Sequence, residues 1–184
     1  VVERSGDRTK VRLFYALWPP RAWAQAWHEA ARRWARGRIA VKVVPPERLH
    51  LTLVFVGDVP CERLGAFLAL GAAMGAPPDE PLVLDRFECW GGPRVACLSG
   101  PPPQGAWARF IERLAQEARA LGAKVEHRPF RPHVTLARKV SPEAFDASGL
   151  GLPLPLTWPA AGFRLIRSES GPEGLRYLTA GEFS

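Results

Sequence analysis

The chain has 184 residues, 47% of them hydrophobic and 23% charged, a balance that excludes a disordered or fibrous protein and suits one domain or two small lobes sharing a core. The formal net charge is +7, and arginine supplies 21 of the 25 basic residues, which favours polyanions such as RNA or nucleotides as partners. No apolar run approaches the roughly 20 residues of a membrane span, and three cysteines with no CxxC pairing predict a reduced, cytoplasmic protein with no membrane association.

Residues 1–9, "VVERSGDRT", lack the apolar centre of a signal peptide and read as a loose extension ahead of a single bilobal domain over 10–184. "VRLFYAL" at 11–17 predicts a strand stopped by Pro19-Pro20, and 21–36 predicts a helix with an apolar stripe, ended by Gly37. Strands follow at 39–44 and 49–56, the latter closed by Gly57-Asp58, and then a helix at 61–74. Strands at 82–87 and 94–98 flank the turn-forming Gly91-Gly92-Pro93. The second half repeats the outline: a helix at 107–121 capped by Gly122, a short strand at 124–127, a strand at 133–138, and a turn or short helix over "SPEAF" with Ser141 as its N-cap. A Pro- and Leu-rich stretch at 150–159 leads to a hairpin of 161–169 and 175–180 around "SGPEG". Strands and helices mix without βαβ spacing, which predicts an antiparallel α+β fold.

Two stretches carry the chemistry. "ERLHLTLVFVG" contains His50 and Thr52, and "RPFRPHVTLAR" contains His133 and Thr135. Alternate residues of a strand share a face, so each His-x-Thr-Leu tetrad presents an imidazole and a hydroxyl together, with Leu51, Leu53, Val134 and Leu136 behind them. One such pair is an ordinary surface feature. Two copies hold half of the four histidines of the chain, the others being His28 and His127. Two lobes related by a pseudo-twofold, with antiparallel sheets inside, helices outside and a central cleft, would bring the motif strands side by side. Two imidazoles and two hydroxyls in one cleft suit phosphodiester chemistry: one His accepts a proton, the other donates one, and the hydroxyls bond the phosphate oxygens. No metal ligand set is present: neither motif has a third ligand nearby, no HxH or HExxH occurs, and Thr is a poor zinc ligand. No cofactor and no obligate protein partner are implied.

Trp18, Trp23, Trp27 and Trp34 are candidates for base stacking, but three of them fall on one predicted helix, where core packing is the simpler reading. His127 reads as a loop or strand residue near the second motif, and "GPEG" at 171–174 as a hairpin turn.

The chain resembles the 2H phosphoesterase superfamily, and within it the RNA 2′,3′-cyclic phosphodiesterases historically called 2′-5′ RNA ligases. The resemblance runs from "RLFYALWPP" through "VPPERLHLTLVFVGDV" and "FRPHVTLAR" to the closing "LIRSESGPEGLRYLTAGEF". It implies that His50 and His133 are the catalytic pair, that Thr52 and Thr135 hold the phosphate, and that Arg138 assists them. Arg138 is the fifth residue after His133, so a regular strand would turn it away from the cleft, and a bulge or the strand end must re-aim it. The chain departs from its relatives at Val95-Ala96-Cys97, where they often read Val-Leu-Trp. The implied activity is metal-independent opening of 2′,3′-cyclic phosphates at RNA or nucleotide ends to 2′-phosphomonoesters. Reversible 2′-5′ RNA ligation and non-catalytic RNA-end binding are the alternatives.

Overall fold

The computed structural model describes residues 9–127, 129–159, 161–172 and 174–184. The expected N-terminal extension lies outside the described residues except for Thr9, whose carbonyl accepts a bond from the Cys61 amide. Among the described residues, ten strands and three α-helices follow in an antiparallel α+β arrangement.

Strand β1 (Lys10–Leu17) is buried from Leu13 onward and lies inside the sheet. Pro19-Pro20 end it, and helix α1 (Arg21–Trp34) begins at once. Its buried residues Ala24, Trp27, Ala31 and Trp34 recur at helical spacing, and Arg32 and Arg33 occupy the last turn, where cations favour the helix dipole. Strand β2 is only Lys42–Val43, shorter than the expected 39–44, because Ile39 is fully exposed at 102% and has no sheet edge to join. Strand β3 (Leu51–Pro60) runs past the expected stop at Gly57-Asp58. Gly57, at φ 85°, accommodates an irregularity there instead of a turn, and Asp58 pairs with Arg12 at 2.8 Å across to β1. A 3₁₀ turn at Cys61–Arg63 leads into helix α2 (Leu64–Met74).

The expected single strand at 82–87 is two strands in different sheets. Strand β4 (Leu82–Leu84) pairs with β8 (Leu156–Trp158) in a separate ladder, whereas β5 (Arg86–Trp90) pairs with β6 (Val95–Ser99). Close packing forces the break: a Cβ on Gly100 would lie 1.8 Å from the Val83 carbonyl oxygen, so β4 crosses directly over the end of β6. Helix α3 (Gly105–Ala120) follows, and strand β7 (His133–Arg138) has the expected bounds. Residues 124–127 form no strand, and 124–126 line a groove beside α3. "SPEAF" is a 3₁₀ turn at Pro142–Ala144 whose Ser141 bonds Glu143 instead of capping the turn. The hairpin is β9 (Phe163–Gly171) and β10 (Gly174–Phe183).

The main sheet has the order β10-β9-β1-β3-β7-β6-β5, with β2 continuing beside β7. Its two antiparallel halves, β10-β9-β1-β3 and β7-β6-β5, meet at the pair Leu51 and Val134. Helix α1 packs on the β2–β7 side, while α2 and α3 pack on β9, β10 and β3. The core between helices and sheet buries Tyr15, Trp27, Phe67, Trp107, Trp158 and Phe163, and the Tyr15 hydroxyl is satisfied by donating to the Phe67 carbonyl at 2.6 Å. Burying a side chain the size of Phe67 contributes about 1.5–3 kcal/mol. A smaller buried cluster of Phe14, Ala16 and Ile166 forms a separate group, with Trp18 and Tyr177 packed against it. Among the described residues no helix is long and apolar enough to cross a membrane.

Candidate active site

The two tetrads lie on β3 and β7, on either side of the Leu51–Val134 pair that joins the half-sheets. His50 precedes Leu51 and His133 precedes Val134. In antiparallel register the residue before one partner lies across from the residue after the other. His50 is therefore set against Thr135, and Thr52 against His133, a crossed arrangement about a local twofold. All four line one cleft of about 600 Å³.

Both tetrads end in a bulge. On β3, Thr52 pairs with Ala16 and Val54 with Tyr15, which leaves Leu53 as the extra residue. On β7, Thr135 pairs with Cys97 and Ala137 with Ala96, which leaves Leu136 as the extra residue. The burial pattern records the same event, since two consecutive residues are buried after each Thr. A bulge flips strand parity, so the fifth residue after each His faces the cleft side again. Arg138 accordingly lines the cleft with His133 and Thr135.

The imidazoles are held alike but surrounded differently. His50 Nδ1 lies 2.7 Å from the Arg48 carbonyl, and His133 Nδ1 lies 2.9 Å from the Arg131 carbonyl. A carbonyl only accepts, so each Nδ1 carries the proton and donates it. The tautomer of His50 then leaves Nε2 as its basic nitrogen. Three rings wall His50: Trp18 stacks on it at 5.1 Å, Phe14 lies at 5.0 Å and Tyr177 meets it edge-on at 5.2 Å. Burial in this cage pushes the His50 imidazole down to about 4; the Arg48 carbonyl opposes that fall, and the nearby His133 and Arg138 reinforce it.

The Trp90 ring packs against His133 at 4.5 Å, within a polar frame centred on Glu88. The Glu88 carboxylate accepts from Ser99 at 2.5 Å, from Trp90 Nε1 at 2.9 Å and from Arg131 at 2.9 Å. Each donor adjoins His133. Ser99 is its register partner on β6, Trp90 packs on its ring, and Arg131 supplies the carbonyl that fixes its Nδ1. Burial works against the Glu88 charge, but the bonds from Ser99 and Trp90 and the charge of Arg131 outweigh it and hold the carboxyl below its usual range.

Sequence reasoning missed the rest of the cleft. Lys42, Arg48, Arg94 and Lys139 join Arg138 around it, with Tyr177 and Leu175 from β10, and no carboxylate appears in its described lining. Arg94 (φ 53°) and Lys139 (φ 59°) are the two non-glycine residues at positive φ among the described residues, and both face this cleft. Such backbone costs of order 1–3 kcal/mol and collects at functional sites. Here it is braced by the Val140 amide, which donates to the Arg94 carbonyl at 3.0 Å. The "GGPR" turn before β6 was the available signal for Arg94.

Trp18 parts company with the other tryptophans. It stacks on His50, whereas Trp27 and Trp34 are buried on α1 and Trp23 packs beside Trp27. His127 lies exposed in a segment with no regular structure. His28 Nδ1 bonds the Val44 carbonyl at 2.8 Å, a structural contact. Cys97, at the departure from the family pattern, is fully buried, and burial pushes its thiol up to about 12. Among the described residues no group of three or more His, Cys, Asp or Glu side chains could hold a metal ion.

Comparison with known proteins agrees with this geometry. The RNA 2',3'-cyclic phosphodiesterase of Thermus thermophilus is 37% identical over 188 residues, covering 95% of this chain and 90% of that protein. The crystal structure of Escherichia coli LigT complexed with 3'-AMP superposes with a TM-score of 0.76 at 28% identity, covering 95% of this chain and 97% of that one. The crystal structure of TT0787 of Thermus thermophilus gives 0.74 at 34% identity, covering 94% and 97%. The family model for the 2'-5' RNA ligase superfamily matches residues 18–172, and with tetrads, fold and relatives in agreement the chain belongs to that superfamily, the 2H phosphoesterases.

Proposed function

We propose that this chain is a metal-independent phosphodiesterase that opens 2′,3′-cyclic phosphates at RNA or nucleotide ends and releases a 2′-phosphomonoester. The observation that carries the reading is the crossed pair of His and Thr side chains in one cationic cleft without a described carboxylate. Such a cleft repels no phosphate and has proton carriers on both sides of it. The relatives named RNA 2',3'-cyclic phosphodiesterase support the same activity.

In this reading the phosphate oxygens accept hydrogen bonds from Thr52 and Thr135, and Arg138 offsets the charge that builds on them. Water attacks phosphorus: its oxygen forms the new P–O bond and its proton passes to the neutral imidazole. The P–O3′ bond breaks, and O3′ takes a proton from the other imidazole. Burial favours His50 as the neutral partner, and hence as the base, with His133 as the acid. The phosphate stays on O2′, and a proton exchange between the imidazoles through solvent restores the resting state.

The test is incubation of a 2′,3′-cyclic nucleotide with the protein in excess chelator, with the product isomer identified by phosphorus NMR. The 2′-phosphomonoester is expected. A 3′-phosphomonoester would overturn the choice of leaving oxygen, and turnover abolished by chelator would overturn metal independence.

A further inference from the structure

Beyond the catalytic cleft the half-sheets splay apart, because β3 and β7 share only the Leu51–Val134 pair among the described residues. The gap continues as a groove of about 850 Å³ whose floor is α3 and whose far wall is formed by residues 124–126 and 129–131. Thr52 and His133 line both this groove and the catalytic cleft, so the two spaces are continuous through the site of chemistry.

The groove carries aromatic rings. Phe55 lies on its wall and is 52% exposed, and among the described residues no other ring packs on it. Phe55 is the fifth residue after His50, the counterpart of Arg138 after His133. The matched bulges turn both toward the cleft side, so one tetrad delivers a cation and the other delivers an exposed ring. Across the groove stand Phe130 and Trp90, the latter with the Arg131 guanidinium 4.9 Å over its face. Lys124 adds positive charge to the groove, where Arg119 is paired with Glu112 at 3.6 Å and Glu126 also lies. An exposed ring facing two half-buried ones, with cations beside them, suits single-stranded nucleic acid, whose bases stack and whose backbone seeks positive charge.

We infer that this groove is a subsite for the RNA immediately upstream of the cyclic end, with Phe55 as a stacking platform for an upstream base. The inference rests on the proposed function, which sets the phosphate at Thr52 and His133. An RNA chain ending in a cyclic phosphate continues in one direction only, and this groove adjoins the cleft at Thr52 and His133. Phe55 lies three strand residues beyond Thr52, about 10 Å. Stacked bases rise about 3.4 Å each, so that distance passes the terminal nucleoside and reaches the nucleotides before it.

The test compares the wild type with Phe55→Ala and Phe55→Trp on a 2′,3′-cyclic mononucleotide and on a short single-stranded RNA ending in the same cyclic nucleotide. Base stacking on an aromatic ring corresponds to roughly 5–150-fold in affinity. Phe55→Ala is expected to raise KM for the oligonucleotide by about fivefold or more and to leave the mononucleotide unchanged, and Phe55→Trp is expected to restore oligonucleotide binding. Equal KM for the oligonucleotide in wild type and Phe55→Ala would overturn the subsite. So would an equal rise for both substrates, which would put the ring on the terminal nucleoside. Failure of the wild type to cleave either substrate would count against the proposed function alone. Fluorescence anisotropy of a labelled, 2′-phosphate-ended oligonucleotide then reads the subsite separately, with tighter binding to wild type than to Phe55→Ala expected and equal binding overturning it.

Discussion

The two tetrads repeat the same backbone and differ in everything packed around it. On β3 and β7 alike, His-x-Thr is followed by a leucine bulge, and each imidazole donates to the carbonyl two residues before it. His50 is then walled by Phe14, Trp18 and Tyr177, whereas His133 lies against Trp90 and a carboxylate-centred frame. A shared backbone holds both imidazoles alike, and burial in the aromatic cage lowers the affinity of His50 for a proton. In the proposed mechanism this burial favours His50 as the neutral partner that accepts the proton.

Removing either imidazole breaks the comparison most severely. His50→Ala and His133→Ala should each lower turnover of a 2′,3′-cyclic nucleotide by about 10²–10⁴-fold with the fold intact. The double variant should lose little more than either single one, because the pair acts as a unit. Near-wild-type turnover in either variant would refute the paired mechanism. Next in size are the phosphate contacts. In the proposed mechanism Thr52→Ala, Thr135→Ala and Arg138→Ala should each remove a bond to the phosphate, on the order of 1.5–3 kcal/mol, which is read as a fall in kcat/KM. Comparable losses at Thr52 and Thr135 would sharpen the twofold, and a loss confined to one would break it.

Much of this site is readable in the chain because a tetrad is local. The period of two along a strand fixes which side chains share a face, whatever the sheet around it. Arg138 shows where local reading stops. Its parity is wrong for the cleft until Leu136 is left over in the pairing of β7 with β6, and that mismatch exists only between strands. Arg48, Arg94 and Tyr177 reach the cleft, and Trp90 reaches His133, from parts of the chain distant from the tetrads, so only the strand order brings them together. The elements that departed from expectation did so for the same reason. Residues 82–87 have continuous strand character but are split by the crossing over Gly100, and 124–126 line a groove beside α3.

The polar side of the comparison is breakable at Glu88. Glu88→Ala leaves the donors of Ser99, Trp90 and Arg131 without their shared acceptor. Stability should fall by about 1–3 kcal/mol, a drop in Tm of roughly 2–10 °C for a chain of this size, with a lower kcat as the His133 ring loses its support. An unchanged melting curve would show that the frame is not needed. The apolar side is breakable at Trp18. Trp18→Ala admits water to His50 and should raise its pKa from about 4 toward the ordinary 6.5. The acid limb of kcat/KM should then move to higher pH, with activity lost at pH 5–6 and kept near pH 8. The same depressed pKa has a sign for stability. The unfolded chain takes up a proton near pH 6.5 that the folded His50 refuses, so this contribution declines as pH falls from about 6.5 to about 4.

The most direct measurement is an NMR titration of the imidazoles in the ligand-free protein, with the His50 signal identified by its loss in His50→Gln. His50 is expected to stay neutral through the physiological range and to take up its proton only at about pH 4. A His50 ring that titrates at or above the ordinary 6.5 would contradict the division of labour, because the aromatic cage would then give His50 no standing as the base of the pair.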